Sequence, residues 1–503
     1  MSNDRSTRAK RNIVVSLAEQ IVSLLCGFVV PRLMIGAYGS EAYGATSSIV
    51  QFLAYITLLE GGIGGVARAA LYKPLAENSQ TAVSAVMMEL QHFFRIVAFV
   101  FLGYVLVLAC SFSRISGVQV FDWGTTALLV IVISVSTFAQ YFIGITNSVL
   151  LQAAQKTYIT TAVSIIATIA NTIMTVLLIG AGYSLLVVKV VSSILFVLRP
   201  LALHIYVKRT FSLPKTKQRN TKLLKQKWTG LGQHIAFFLH SNTDVMVLTL
   251  CANLSSVAVY SVYNMIVSHI QSLTVSFASG MEALFGEMIA KEEYEVLNRT
   301  FDIYETLISV VSVIMLSVTA VMILPFIGIY TDGIADVNYM EPVFALVLVM
   351  AALVYCLRTP YHAAVIAAGR FKQTRAAAYG EAVLNVGLSL LLVNRFGLVG
   401  VAIGTLAATA FRFLYYVWYL SHEIACRKIS LFVRRSFANA VGFAGTLIFG
   451  RKLIGLFTIE NYWSWVCAGI LCVIFSAAIT MGINMLFYHN ALMEVLRRYV
   501  RRK

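Results

Sequence analysis

Long apolar runs, each closed by a short polar or Gly/Pro break, follow one another from residue 12 to residue 487. The hydrocarbon core of a bilayer is roughly 30 Å thick and a helix rises about 1.5 Å per residue, so a run near 20 residues crosses it. Fourteen runs qualify: 12–36, 43–66, 89–111, 124–150, 158–180, 185–206, 229–252, 257–285, 301–328, 342–366, 377–394, 398–420, 437–457 and 463–487. The thirteenth is the weakest, because Arg451 and Lys452 interrupt it. The breaks are too short for a soluble domain. The pattern predicts an all-α polytopic membrane protein of about fourteen transmembrane helices. The basic start Arg5, Arg8, Lys10, Arg11 leads into an apolar run that carries Glu19 and Gln20, unlike a cleavable signal, so the first helix is expected to remain.

Composition agrees with that pattern. The 503 residues are 59% hydrophobic and 12% charged, with a mean hydropathy of +0.80, whereas a soluble domain carries about a quarter charged residues. A water-soluble fold is excluded. With the N-terminus in the cytoplasm, 29 of the 39 basic residues fall in segments on that side, eight of them between Lys208 and Lys227. The positive-inside rule therefore places both termini in the cytoplasm. The net charge of +17 is scattered over these inner segments with no reading domain between them, which argues against nucleic acid and for anionic lipid headgroups. The seven cysteines, Cys26, Cys110, Cys251, Cys356, Cys426, Cys467 and Cys472, have no ligand or disulfide spacing, and neither a metal site nor a cofactor is expected.

The chain also repeats itself. A shift of 214 lays Ala153-Ala154-Gln155-Lys156 on Ala367-Ala368-Gly369-Arg370 and Asn171 on Asn385, and brings Arg199 within one residue of Arg412. A shift of 217 lays Tyr43 on Tyr260. The implied organisation is a basic tail 1–11, a six-helix bundle 12–207, a basic linker 208–227, a second six-helix bundle 228–420, an extra helix pair 437–487 and a basic tail 488–503. Bundles repeated in parallel orientation are a transporter signature, because rocking about a shared cavity alternates its exposure. No P-loop, His-Glu-x-x-His or Gly-x-Ser-x-Gly motif is present, so neither ATP binding nor enzyme activity is expected.

Several stretches carry a resemblance. Val30-Pro31-Arg32-Leu33, Gly39-Ser40-Glu41-Ala42-Tyr43-Gly44 and Leu58-Leu59-Glu60-Gly61-Gly62 open the chain. Arg358-Thr359-Pro360-Tyr361, Ala367-Ala368-Gly369-Arg370, Glu381-Ala382-Val383-Leu384-Asn385 and Gly397-Leu398-Val399-Gly400 through Gly404-Thr405 follow in the second half. In their order these resemble Wzx-type polysaccharide repeat-unit flippases of the multidrug/oligosaccharidyl-lipid/polysaccharide exporter superfamily, over nearly the whole chain. The resemblance implies a bacterial inner-membrane protein that turns an undecaprenyl-pyrophosphate-linked oligosaccharide, of O-antigen, capsule or a related glycan, towards the periplasm. Its implied partners are that substrate, membrane lipids and other polysaccharide-assembly proteins. A multidrug or small-molecule exporter of the same superfamily is the nearest rival, and a membrane glycan polymerase or glycosyltransferase is the rival of another class. The polymerase would need a sizeable outer loop.

A sugar pyrophosphate crosses hydrocarbon only through a wet, cationic cavity, and arginine suits phosphate through its planar fork. Arg358 and Arg412 lie well within spans and are the first substrate candidates; Arg32, Lys189 and Arg199 are closer to span ends, where snorkelling to the interface is an equal reading. Intramembrane carboxylates are the candidates for coupling to H⁺ or Na⁺: Asp244, the deepest, with Glu60, Glu19, Glu282 and Glu381. Their other reading is as partners of the arginines. Gln233 and His240 share the helical face of Asp244.

Overall fold

The structure, a computed structural model, describes residues 2–60, 63–211, 213–214, 231–276, 281–425 and 427–500. Side chains are described for these except 2–10, 231–237, 239–241, 276, 371–372 and 488–500. The predicted linker 208–227 and tail 488–503 therefore lie largely outside the described residues or side chains, as do the side chains of Gln233 and His240.

The described residues are helical, with no strand among them. The first part of the chain forms α1 (Ser2–Tyr38), α2 (Ser40–Ala54) with a tighter turn Tyr55–Glu60, α3 (Ile63–Ala76) and α4 (Gln80–Ser116). It continues with α5 (Trp123–Ala139), a π-turn Gln140–Gly144, α6 (Ile145–Ala153), α7 (Thr157–Gly180) and α8 (Leu185–Thr210). The second part holds α9 (Leu231–Cys251), α10 (Leu254–Ser276), α11 (Met281–Ala290), α12 (Tyr294–Tyr330) and α13 (Pro342–Ala367). It ends with α14 (Phe371–Tyr419), a π-turn Leu420–Ile424, α15 (Ile429–Ile454) and α16 (Tyr462–Val500).

The described residues of all fourteen predicted segments fall on these elements, and the chain is an all-α polytopic membrane protein. Ten helical stretches among the described residues are long and apolar enough on their own to cross a membrane. Two of the four differences have local causes, and the other two fall on segments 229–252 and 257–285, which lie partly outside the described residues. Segments 377–394 and 398–420 lie on the one element α14, and α15 carries Arg434, Arg435, Arg451 and Lys452. Helices α4 and α12 run 37 residues, longer than a bilayer requires; their polar ends continue the helix beyond what an apolar run reveals.

At 49 residues α14 is too long for one span, and Gly397, with φ +52°, breaks it into a hairpin. The second arm then packs backbone to backbone on the first through small residues at four-residue spacing. A Cβ on Gly400 would lie 2.5 Å from the Leu392 carbonyl oxygen, and one on Gly404 would overlap the Ser389 hydroxyl and lie 2.9 Å from the Ser389 nitrogen. This contact sets Asn385 beside Thr405, whose side chains meet at 2.9 Å. In the first part, the π-turn 140–144 leaves Gly144 where a Cβ would lie 2.9 Å from Pro200 of α8. Helix α5 begins on Asp122, which accepts from the Thr125 amide at 3.1 Å; these bonds hold its carboxyl below the usual carboxylate range.

The chain divides into two compact units, Met1–Phe238 with Asn253–Ala258, and Leu239–Ala252 with Val259–Lys503. Within the second, α15 and α16 pack on α12. Ser317 and Ser476 meet at 2.9 Å, Thr446 donates to Ser476 at 3.2 Å, and Met322, Ala468 and Cys472 form an apolar cluster alongside.

Gly404→Ala tests the hairpin. Overpacking of a close-packed core costs about 1–3 kcal/mol, so the variant should melt at a lower temperature in detergent and reach lower membrane abundance. An unchanged melting temperature would mean that the two arms are not in backbone contact.

Candidate functional site

In the first unit a cavity of about 750 Å³ opens among α2, α3, the π-turn, α6 and α8. The tight turn after α2 presents Glu60, α3 presents Arg68, the π-turn presents Tyr141, and α8 presents Lys189 and Arg199 from one face. A π-turn shifts the side-chain register of a helix, which lets Tyr141 donate to the Glu60 carboxylate. Arg68 donates to the Gln152 side chain at 2.8 Å. The Lys189 ammonium lies 3.6 Å from the Met34 sulfur and, among the described residues, has no carboxylate partner. Arg199 sits 5.8 Å from the Phe196 ring, within electrostatic reach of Glu19.

The charged lining is thus three bases, Arg68, Lys189 and Arg199, against one acid, Glu60, among the described residues. Half-buried cations in excess over carboxylates favour an anionic guest, since each is expensive to leave unanswered in a low-dielectric wall. Sequence reasoning reached Lys189, Arg199 and Glu60 but took Arg68 for a loop charge. The available signal was that the apolar run does not stop at Gly65 but resumes around Arg68 as Val66-Ala67-Arg68-Ala69-Ala70-Leu71. Arg32 does not line the cavity; it is half-buried on α1, facing back towards Gly36.

The second unit holds its charges differently. Asp244, 4% exposed, accepts from Tyr260 at 2.8 Å and from Thr405 at 2.9 Å, while Asn385 donates to Thr405 at 2.9 Å. The Asn385 side-chain oxygen is buried with no donor among the described residues. Among the described residues the donors to this carboxylate are neutral hydroxyls, and the carboxylate, hydroxyl and amide oxygens gathered here are hard ligands.

Arg358 and Arg412 converge on Glu381. Arg358 reaches one carboxylate oxygen at 2.5 Å, Arg412 takes the other, and Arg412 also donates to the Tyr416 hydroxyl at 2.8 and 3.0 Å. The three are 6%, 5% and 0% exposed, so the sequence's first substrate candidates and one of its ion-coupling candidates are a single buried triad. A second buried cluster was not foreseen. Glu305 of α12 accepts from Tyr361 at 2.5 Å, from Arg427 at 2.7 Å and from Arg435, while Arg427 also reaches Asp302. The signal was present as two carboxylates one turn apart in an apolar span. Glu282, by contrast, is exposed in the first turn of α11.

No protein-family model matches the sequence, and no curated protein does. Solved structures do match. A lipid II flippase, MurJ, in an inward closed conformation aligns with a TM-score of 0.69 at 13% identity, covering 93% of this chain and 98% of that one. An inward-facing multidrug resistance MATE family transporter of the MOP superfamily aligns with a TM-score of 0.60 at 14% identity, covering 81% and 98%. The MATE multidrug transporter DinF-BH gives 0.60 at 17% identity, covering 83% and 96%. At these identities the shared property is the fold alone.

Removing one member of the triad leaves uncompensated buried charge. Glu381→Ala strands two arginines and should destabilise the protein by about 3–5 kcal/mol, read as a large drop in melting temperature; Arg358→Ala alone should lower it less. Equal stability of Glu381→Ala and the wild type would show that the triad is solvated.

Proposed function

We propose that the chain is a flippase that carries a polyprenyl-pyrophosphate-linked oligosaccharide from the cytoplasmic to the periplasmic leaflet of a bacterial inner membrane, by ion-coupled alternating access. The observation that carries this reading is the excess of base over acid in the first-unit cavity, where Lys189 has no carboxylate partner among the described residues. A diphosphate supplies the missing negative charge and accepts the charge-assisted hydrogen bonds that Arg68, Lys189 and Arg199 offer. A cavity of about 750 Å³ admits a headgroup of this kind while a polyprenyl tail stays in lipid. Likeness in fold to a lipid II flippase supports a lipid-linked glycan as cargo.

In this reading Glu60 and Tyr141 hold the cavity's polar wall in place. Arg358 and Arg412 set α13 against α14 through Glu381 and so act on transport by positioning. Asp244 is the coupling site. Its carboxylate takes a proton or a sodium ion among Tyr260, Thr405 and Asn385, and occupancy changes how these groups bind one another. Since Thr405 and Asn385 belong to opposite arms of the α14 hairpin, ion binding there acts directly on a packed element. The cargo is a repeat unit for O-antigen, capsule or a related polysaccharide, handed on to other assembly proteins.

Deletion in the native host should make lipid-linked repeat units accumulate on the cytoplasmic side while surface polymer is lost. Normal polymer with altered drug tolerance would contradict the reading and favour the multidrug exporter. Lys189→Ala and Arg199→Ala should each lower the flipping rate about tenfold or more at normal membrane abundance, as befits loss of a charged hydrogen bond worth roughly 1.5–3 kcal/mol. Asp244→Asn should leave substrate binding intact and abolish the response of transport to an imposed ion gradient; a retained response would remove Asp244 from the coupling site.

A further inference from the structure

A second cavity in the first unit, of about 710 Å³, shares no lining residue with the first. It lies on the opposite side of α6, at the inner end of α8 and the first turns of α4. Its polar lining is Gln80, Ser84, Gln91, Thr146, Asn147, His204 and Lys208, with Lys208 the one cation and Asn147 already donating to the Ile143 carbonyl at 2.7 Å, and no acidic side chain lines it among the described residues. Lys208 is exposed and has no carboxylate partner there. Asn147 is buried and faces the His204 Nδ1 at 3.4 Å, which fixes one side of the imidazole and orients the ring.

The outer wall is held in place. After α8 the chain turns back, and Ser84 of α4 donates to the Pro214 carbonyl at 2.5 Å. The Lys156 ammonium sits 5.2 Å from the Phe211 ring and 6.0 Å from that of Tyr206, drawing the start of this return segment against the bundle. Directly above, α8 exposes Ile194, Leu198, Leu201 and Ile205, at 57%, 52%, 37% and 52%. These residues recur at helical spacing and form one apolar stripe that ends beside His204 and Lys208.

We propose that this cavity binds the phosphate headgroup of an anionic phospholipid of the leaflet it faces, with the acyl chains along the α8 stripe. A recess with a lysine ammonium, imidazole and amide groups, and no carboxylate among the described residues, suits a phosphate, and an apolar stripe along the same helix suits a phosphate that carries fatty chains. This goes beyond the transport reading, since the site is separate from the cationic cavity and its occupant is a bilayer lipid. A bound headgroup braces α4, α8 and the return segment together. Anionic phospholipid therefore stabilises the first unit, whatever the protein carries.

The test uses full-length protein, purified and delipidated in a neutral detergent. Its melting temperature is followed while phosphatidylglycerol, phosphatidylcholine or inorganic phosphate is added. The expected result is a rise with phosphatidylglycerol alone, with apparent affinity lowered roughly fivefold in Lys208→Gln for the lost charge, and further in the His204→Gln/Lys208→Gln double variant. Both residues are exposed, so both variants should fold as the wild type does. Equal shifts with phosphatidylcholine, an equal shift with inorganic phosphate, or an undiminished phosphatidylglycerol response in the double variant would each overturn the proposal. None of these outcomes depends on flipping, so the proposal and the transport reading fail separately.

Discussion

An ionised group held among apolar helices must be answered by an opposite charge, a hydrogen-bond network or a guest, and the second unit uses the first two. In the second unit the answers are internal. Glu381 takes Arg358 and Arg412, and Glu305 takes Arg427, Arg435 and the Tyr361 hydroxyl. Such clusters add little net stability over an apolar core, but losing one member is severe, so they fix which helices meet and at what register. The Glu305 cluster ties the start of α15 to α12 and so seats the C-terminal helix pair. In the first unit the answer is incomplete: among the described residues, Glu60 is the only acid in a cavity wall that also carries Arg68, Lys189 and Arg199. That imbalance is what a transported anion would meet.

Backbone packing places the coupling candidates as directly as charge does. Asp244 meets Thr405, and Thr405 meets Asn385, only because α14 folds on itself at Gly397 and its second arm comes close through Gly400 and Gly404. A side chain at either glycine would separate the arms. The π-turn at 140–144 plays a similar part beside Pro200, turning Tyr141 towards Glu60 at the level where Arg199 enters the cavity. Irregular backbone at membrane depth is tolerated where it is packed against protein or lines a cavity, and both conditions hold there.

The all-helical, many-spanning class and the order of the apolar segments were legible because the bilayer imposes a length on every apolar run, and that length is written directly in the sequence. The long ends of α4 and α12 were not, since a helix that leaves the membrane changes composition without changing conformation. Lys189, Arg199 and Glu60 could be named because an ionisable residue in an apolar run stands out. Arg68 could not be separated from the basic residues that obey the positive-inside rule, because it lies just beyond the apolar run 43–66. Which charges are consumed was invisible. The pairing of Glu381 with arginines 23 and 31 residues away depends on the crossing of α13 and the two arms of α14, which no local pattern encodes.

The central claim is that the first-unit cavity is shaped in charge for an anionic, lipid-linked guest. The most direct measurement is equilibrium binding of a polyprenyl-pyrophosphate glycan, compared with the same glycan on a neutral polyprenol linkage, to the wild type and to a variant with Arg68, Lys189 and Arg199 all replaced by Gln. The account predicts clear preference for the diphosphate in the wild type and loss of that preference in the variant. Equal affinity of the wild type for the charged and neutral ligands, or an undiminished preference in the variant, would contradict it.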